Sequence, residues 1–253
     1  MTPSEDGKSA DDWNAALEKA KLDALAEFAA GAGHEINNPL AIIRGHAQIL
    51  LQKTVDSESK KHLGVILNQV QRIYEMIADI RLFARPPCPE CVPMDLVSVL
   101  KNVIQEQSEL VAKWNSARNV DRDIRIHWKF SAPDSLSVCF DPAHVHTIFA
   151  ILCKNAVEAI LANDSQTGEI EVSCETTQNS TIEVLVKNDA AAIPKEVLPH
   201  IFSPYYSGRQ AGRGLGFGLS KAWRLLEQMN GRIEVYRENH DKTCFKVTFF
   251  GDF

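Results

Sequence analysis

Apolar residues recur every three or four positions through the first third of the chain, in two stretches. The first stretch begins near Trp13, and the second follows a break that we place at Ser57-Glu58. This spacing is that of amphipathic α-helices, and the first helix would be about 60 Å long at 1.5 Å per residue. We therefore predict a helical hairpin over residues 13–85, preceded by a disordered or linker segment over residues 1–12.

A hairpin of two long helices leaves one apolar seam uncovered. Pairing with a second copy would close this seam in a four-helix bundle. We therefore expect a homodimer. The alternative is that the hairpin packs onto the C-terminal part of the chain instead.

The pattern changes after the four prolines of residues 86–93, which indicate a stiff linker and a domain boundary. Beyond them, segments that alternate every second position, as strands do, lie between segments of helical spacing. Strand-like alternation occurs at Ile124–Phe130, Ile170–Cys174, Ile182–Val186, Ile233–Val235 and Phe245–Phe249, and helical spacing at Asp95–Trp114, Asp141–Leu161 and Gly216–Met229. We predict an α+β protein in which residues 94–253 form an α/β sandwich, a mixed sheet covered by helices on one face.

Composition narrows the class of protein. The net charge of −6 disfavours a nucleic-acid partner, which would require a basic face. The only close pair among the six cysteines is Cys88 and Cys91, so reduced thiols are a better interpretation than a zinc site. No apolar run approaches the ~20 residues of a membrane span, and no signal peptide is visible. We expect a cytoplasmic chain without a membrane span.

The helical pattern contains an unusual segment around a histidine. Pro39 should cost roughly 3 kcal/mol or more inside a helix, and it removes the N–H that would bond the Glu35 carbonyl. His34 and Asn38 lie four positions apart and so share a helix face. A neutral imidazole nitrogen can attack a phosphate while a neighbouring carboxylate accepts its other proton. The alternative is a solvated helix histidine, as we assume for His46.

A second unusual segment is rich in glycine. Four glycines alternate with other residues at Gly212, Gly214, Gly216 and Gly218, directly before a predicted helix. Glycines let a backbone approach phosphates closely, and a helix N-terminus favours negative charge. No Gly-Lys-Ser/Thr follows, and no first strand precedes, so this is neither a Walker loop nor a Rossmann turn. A merely flexible loop is the alternative.

The order of Gly33–Leu40, the Asn155 helix, Phe202–Tyr206 and the glycine run resembles that of a sensor histidine kinase. The resemblance covers about residues 20–250. It implies a phosphoacceptor hairpin followed by an ATP-binding domain of the Bergerat type, the fold of histidine kinases, gyrase and chaperone ATPases. It also implies two-component signal transduction, in which the phosphoryl group passes to an aspartate on a response-regulator receiver domain.

The resemblance also implies roles for single residues. His34 would be phosphorylated, Glu35 would act as its base, and Glu35 with Asn38 would support dephosphorylation of the partner. Asn155 would hold Mg²⁺ through its amide oxygen, a ligand type that suits this ion. ATP would contact residues of several segments, namely Asn155, Phe202, Arg209, Gly212, Gly214, Gly216 and Gly218. For Arg209, an exposed charge is an equally good interpretation.

One segment departs from the family pattern. Where the family has Asp-x-Gly-x-Gly before Ile-Pro, this chain has Asn188, Ala190 and Ala192. In the family that aspartate accepts a hydrogen bond from the adenine amino group, and asparagine would do so without charge. If the alanines occupied φ > 0 positions, they would cost roughly 1 kcal/mol each. Together with the lost charge at position 188, they would weaken ATP binding by roughly 30- to 1000-fold. Asp189 could substitute for Asn188 after a shift of one residue.

The retained motifs and the altered segment Asn188–Ala192 disagree, and three functions are therefore considered. The first is an active ATP-dependent histidine kinase with an altered adenine pocket. The second is a degenerate kinase with weak or no ATP binding, acting as a phosphotransfer or phosphatase module. The third is another protein with the same ATP-binding fold, either a gyrase- or chaperone-like ATPase or a serine kinase acting on a partner protein. Ile151 opposes the ATPases, which carry their catalytic glutamate at this position, and the predicted phosphoacceptor helix opposes the serine kinases, which lack one. We favour the first, because the segments around Asn155, Phe202 and the glycines are all retained.

Overall fold

The computed structural model describes residues 10–117, 124–162, 167–177, 181–190, 193–204, 206, 216–238 and 242–251. The chain divides into two compact units, Met1–Pro87 and Cys88–Phe253. Each unit is described by itself.

The first unit is a hairpin of two long helices, α1 (Ala10–Lys53) and α2 (Ser57–Ala84). Helix α1 begins three residues before the predicted start at residue 13, and residues 1–9 lie outside the described residues. The predicted break at Ser57-Glu58 is wrong, because both residues are the first turn of α2. The Asp56 carboxylate caps this helix by accepting hydrogen bonds from the backbone N–H groups of Ser59 (2.8 Å) and Glu58 (3.4 Å).

Small residues bring α1 close to α2. Residues 26, 33, 40 and 47 of α1 are buried at seven-residue spacing, and three of these four are alanine or glycine. A Cβ placed on Gly33 would lie 3.1 Å from Ile77 Cγ2 on α2, which is tighter than ordinary packing. Pro39 lies inside α1 and is exposed, and the helix continues past it.

The second unit is an α/β sandwich. Its strands are β1 (Val92–Asp95), β2 (Arg125–Ser131), β3 (Ser137–Phe140), β4 (Thr167–Thr176), β5 (Thr181–Asn188), β6 (Gly231–Glu238) and β7 (Lys242–Phe250). Its helices are α3 (Leu96–Ala117), α4 (Pro142–Ala162) and α5 (Gly218–Gln228), with a short 3₁₀ helix at Leu198–His200. The main sheet has the order β2-β4-β5-β7-β6, in which β2 and β4 are parallel and the other pairs antiparallel.

Helix α4 is the centre of the second unit. It packs between α3 and α5 and lies against β4 and β5. Along β4 and β5 every second side chain is buried, and the intervening ones are partly exposed. One face of the sheet is therefore covered by helices and the other meets solvent. The predicted two-part architecture, a helical region followed by an α/β domain, is confirmed.

Two elements of the second unit were not predicted. Strands β1 and β3 form a separate antiparallel pair with the register Val92↔Phe140 and Asp95↔Ser137. Each is four residues long, too short for a clear alternation. Strand β1 includes Val92 and Pro93 of the predicted linker.

Helix α4 has the length and composition of a membrane span. It is also a core helix, since nine of its residues are buried within the domain. The core of a folded domain explains its apolar character without a membrane.

Candidate functional site

The predicted phosphoacceptor residues share one exposed face of α1. The side chains of His34, Glu35 and Asn38 are all exposed, within little more than one helical turn. Gly33, which precedes them, faces α2 and is buried. The imidazole of His34 is thus accessible to a phosphate donor, while the backbone beneath it is held against the second helix.

The opposite side of this turn contains a contact that sequence reasoning missed. The Tyr74 hydroxyl of α2 donates a hydrogen bond to the Asn37 carbonyl (3.3 Å). The Asn37 side-chain Oδ1 is buried without a partner among the described residues. Tyr74 therefore fixes α2 to the turn of α1 that Pro39 has loosened, since Pro39 removes one backbone donor from it. The only available signal was the helical spacing of Tyr74.

Asn155 lies in the middle of α4 and is half-buried. Its Nδ2 is buried and has no hydrogen-bond partner among the described residues. An unpaired buried amide is costly, so such a group is typical of a site that a ligand completes. The unpaired Nδ2 is a hydrogen-bond donor and suits an acceptor atom of a ligand, whereas the predicted contact with a hard cation would use the amide oxygen.

The start of α5 meets the face of α4 that carries Asn155. A Cβ on Gly218, the first residue of α5, would touch Ile151 Cγ2 at 3.5 Å. Ile151 lies four positions before Asn155, on the same helix face. The structure therefore places Gly218 close to the Asn155 face. The residue before α5, Phe217, provides no side-chain cap for this helix.

Gly216 is in the left-handed region, with φ of +73°. A Cβ at this position would come within 2.6 Å of the Tyr206 carbonyl carbon and 2.7 Å of its nitrogen. Glycine is therefore required here for two reasons, conformation and space. The contact joins the glycine run to the Phe202–Tyr206 segment, in which Phe202 is half-buried. Arg209, Gly212 and Gly214 lie outside the described residues.

The altered segment follows the end of β5. Asn188 is buried, and its Oδ1 accepts a hydrogen bond from the Ala190 N–H (3.2 Å). Asp189 is exposed and forms two hydrogen bonds with Glu169, near the start of β4. Its carboxylate accepts from the Glu169 N–H (2.9 Å), and its own N–H donates to the Glu169 carbonyl (3.2 Å). Of the two, Asn188 has the buried position expected of the base-recognition residue.

Ala190 is buried, but it carries no backbone strain. Among the described residues other than glycine, Asn230 is the one with positive φ, so the φ of Ala190 is ordinary. The predicted penalty for an alanine in a left-handed conformation does not apply at this position. Ala192 lies outside the described residues. The remaining consequence at Ala190 is the volume of one buried methyl group.

Asp141, like Tyr74, makes structural contacts that the sequence analysis did not predict. Its carboxylate accepts from the N–H groups of Ala143 (2.8 Å) and His144 (3.0 Å) at the start of α4, and from the Glu90 N–H (2.8 Å). Burial acts to raise the pKa of Asp141, but these hydrogen bonds outweigh it and hold the pKa below its usual value. The helix that carries Asn155 thus begins at a charged and well-ordered cap.

Two family models match the chain. Residues 24–88 match the His Kinase A (phospho-acceptor) domain, and residues 140–251 match the histidine kinase-, DNA gyrase B- and HSP90-like ATPase. The two matched regions contain His34 and Asn155 respectively. The resemblance that the sequence motifs indicated is therefore confirmed.

Curated proteins with similar sequences are kinases. Sporulation kinase C of Bacillus subtilis (strain 168) is 26% identical over 234 residues, covering 92% of this chain and 50% of that protein. Sporulation kinase A of the same organism is 28% identical over 233 residues, with 92% and 36% covered. Sensor protein kinase PilS of Pseudomonas aeruginosa is 27% identical over 235 residues, with 92% and 42% covered. The chain spans half or less of the length of these relatives.

Solved structures agree on the fold. The full-length ShkA crystal structure in complex with AMPPNP superposes with a TM-score of 0.71 at 20% identity, covering 88% of this chain and 45% of that one. The catalytic domain of histidine kinase ThkA superposes with a TM-score of 0.52 at 23% identity, covering 63% and 95%. The first similarity extends over most of this chain, and the second accounts for the greater part of the ThkA domain.

Proposed function

Because this chain belongs to the two-component histidine kinases, of which it carries the phosphoacceptor and ATP-binding domains, we propose that it catalyses ATP-dependent phosphorylation of His34. The observation that carries the proposal is the exposed face of His34, Glu35 and Asn38 on α1. That face occurs in a chain whose second domain has, at Asn155, a buried amide nitrogen without a partner among the described residues. The relatives are named as kinases, which supports the same activity.

The nucleotide would bind over α4 and the start of α5. Its phosphates would be stabilised by the backbone N–H groups at the N-terminus of α5, since the positive end of a helix favours negative charge. The buried amide of Asn188 would contact the base. Arg209, Gly212 and Gly214 remain predicted nucleotide contacts.

We propose Mg²⁺ as the metal that accompanies ATP at this site. The described residues contain no group of three or more histidine, cysteine, aspartate or glutamate side chains that could hold a metal. Mg²⁺ needs no such cage, because it commonly combines one or two protein oxygens with phosphates and waters. Asn155 would supply the protein oxygen. The ion would neutralise phosphate charge during transfer.

The phosphoacceptor residues would divide the chemistry among them. A His34 ring nitrogen would attack the terminal phosphorus of ATP, ADP would leave as the bond to the bridging oxygen breaks, and the Glu35 carboxylate would accept the proton from the ring. The phosphoryl group would then pass to an aspartate on a response-regulator receiver domain. In a separate reaction, Glu35 and Asn38 would orient a water molecule that hydrolyses the aspartyl phosphate of that partner and releases inorganic phosphate.

A homodimer and a cytoplasmic location complete the proposal. The described part of α1 and α2 leaves large apolar side chains exposed, among them Ile36, Ile43 and Val65. A second hairpin would cover them and complete a four-helix bundle.

A degenerate module with weak or no ATP binding is the second candidate. Asn188 in place of aspartate and the buried methyl of Ala190 favour it. The absence of backbone strain at Ala190 weakens it.

Titration calorimetry of ATP–Mg²⁺ into the purified chain separates the two candidates. We expect micromolar binding that weakens about tenfold or more in Asn155→Ala, because a charged or ion-bound contact contributes roughly 1.5–3 kcal/mol. Lys154→Ala is the matched control, since Lys154 is exposed on the neighbouring position of α4 and should leave binding unchanged. Undetectable binding at millimolar nucleotide would favour the degenerate module.

A further inference from the structure

The cysteines of the second unit fall into two groups. Cys153, Cys174 and Cys244 are buried in the core, whereas Cys88, Cys91 and Cys139 are exposed. Burial raises the pKa of Cys153 to about 12 and that of Cys174 to about 11. The thiolate is the reactive form of cysteine, so these two core thiols are inert at neutral pH. Any thiol chemistry of this unit falls on the exposed group.

Two of the exposed thiols lie where the two units join. Cys88 is the first residue of the second unit, and Cys91 follows after Pro89 and Glu90. No helix or strand includes the segment 86–91. Its backbone is therefore held in neither helical nor strand geometry. Two cysteines at this spacing are the arrangement of dithiols that cycle between thiol and disulfide.

Neighbouring contacts fix one end of this dithiol. The Glu90 N–H donates to the Asp141 carboxylate (2.8 Å), and Val92 begins strand β1, where it pairs with Phe140. Cys91 is held between these two attachments. Cys88 lies on the other side of Pro89, towards the first unit. The dithiol therefore lies in the segment that follows the hairpin and contacts, through the Glu90 N–H, the Asp141 cap of α4.

We propose that Cys88 and Cys91 form a redox-active dithiol that is oxidised to an intramolecular disulfide by low-molecular-weight disulfides of the glutathione type. One thiolate attacks the small disulfide, forms a mixed disulfide and releases one small thiol. The second thiolate then attacks the protein sulfur of the mixed disulfide and releases the other small thiol. In total, two protein thiols and one small disulfide yield one protein disulfide and two small thiols.

Oxidation would restrain the segment between the two units. The disulfide closes a ring that contains Pro89 and Glu90, and the Glu90 N–H is the group bonded to Asp141. Phosphorylation of His34 requires that ATP bound in one unit reach a residue of the other, so a restraint at the junction lowers the rate of transfer. This second step rests on the proposed kinase function, whereas formation of the disulfide does not.

The disulfide is tested by peptide mass spectrometry of the full chain after equilibration with reduced and oxidised glutathione and alkylation of free thiols. Trypsin leaves Cys88 and Cys91 in one peptide, residues 82–101, because Pro86 protects Arg85 from cleavage. We expect this peptide to lose two hydrogens and to resist alkylation. Cys139 is the internal control, since it lies in another peptide and should form a mixed disulfide only.

Single variants complete this test. Cys88→Ser and Cys91→Ser should each prevent the loss of two hydrogens, and Cys139→Ser should preserve it. A peptide cross-linked to Cys139, or only separate mixed disulfides at Cys88 and Cys91, would overturn the proposal.

The effect on transfer is measured with radiolabelled ATP on the oxidised and reduced forms of the same sample. We expect label to accumulate on His34 about fivefold or more slowly in the oxidised form, the lower range of ordinary coupling between sites. Cys88→Ser should show equal rates under both conditions. Equal rates in the oxidised and reduced wild type would overturn the restraint. A disulfide without label in either form would contradict the kinase function and leave the dithiol established.

Discussion

At the scale of single residues, the replacements in the segment Asn188–Ala192 cost less ATP-binding free energy than the sequence alone indicates. The sequence shows that an aspartate and two glycines are replaced, but not which replacements cost free energy. Ala190 has an ordinary φ, so the cost expected from conformation is absent there. Asn188 retains a buried amide whose oxygen also bonds the Ala190 N–H. The missing negative charge at position 188 therefore accounts for most of the expected loss of ATP-binding free energy.

Asn188→Asp should therefore tighten ATP–Mg²⁺ binding on its own. A charged hydrogen bond is stronger than a neutral one by about 1–2 kcal/mol, which corresponds to a gain of roughly 5- to 30-fold in affinity. Calorimetry of the two proteins measures it, and adding Ala190→Gly should contribute little. An unchanged affinity in Asn188→Asp would show that this residue does not contact the base.

Gly216→Ala should impair the nucleotide site. The added methyl would overlap the Tyr206 backbone, and the residue would hold a φ of +73° that alanine rarely adopts. We expect ATP affinity to fall about tenfold or more with the domain still folded. Gly64→Ala is the control, since Gly64 lies in helix α2 and a methyl there would meet nothing within 4 Å. Equal losses in the two variants would refute this role for the Gly216 turn.

At the scale of elements, the longer helices and strands could be predicted from the sequence, and the shortest strands could not. Helices α1, α2 and α4 contain many periods of apolar spacing and were recognised from it, as was the alternation of β4 and β5. Strands β1 and β3 were missed because four residues cannot establish a period. The start of α2 was misplaced because Asp56 caps it, and this cap precedes the two residues that we took as a break. The Tyr74–Asn37 contact joins residues 37 positions apart, which no local pattern predicts.

The cap of α4 gives a prediction about acid stability. The folded pKa of Asp141 lies below its unfolded value, so its contribution is complete above pH of about 4 and is lost as the pH falls through the folded pKa. Asp141→Ala should lower the free energy of unfolding by about 1–3 kcal/mol at neutral pH, because it removes the cap and leaves the Glu90 N–H unpaired.

Urea unfolding at several pH values measures this effect. The stability difference between the wild type and Asp141→Ala should shrink as the pH falls below about 4. Asp134→Ala is the control, because Asp134 is exposed in the loop before β3 and should change stability little. A difference that is constant with pH would contradict the role of the charged carboxylate.

At the scale of the whole molecule, the hairpin displays a second apolar seam. Ile36, Ile43 and Leu50 of α1 repeat every seven residues, and 40%, 46% and 55% of their surface is exposed. A seven-residue repeat is the pattern of helices packed in a bundle. The first seam, residues 26, 33, 40 and 47, is already buried, and at Gly33 it faces Ile77 of α2. The second seam is therefore the surface that a second copy would cover.

Ile43→Lys should convert the proposed dimer into a monomer, because it would place a charge inside the bundle. Light scattering coupled to size-exclusion chromatography measures the mass. Gln48→Lys adds the same charge on an exposed position away from the seam and should preserve the dimer. Equal masses for the two variants would exclude the seam as the dimer interface.

The central claim is phosphorylation of His34 by bound ATP. The most direct measurement incubates the purified chain with γ-labelled ATP and Mg²⁺, and then maps acid-labile label to the tryptic peptide that contains His34. We predict label on the wild type and none on His34→Gln, with the same oligomeric mass and ATP affinity in both proteins. Label retained on His34→Gln, or absent from a wild-type chain that binds ATP, would contradict the account.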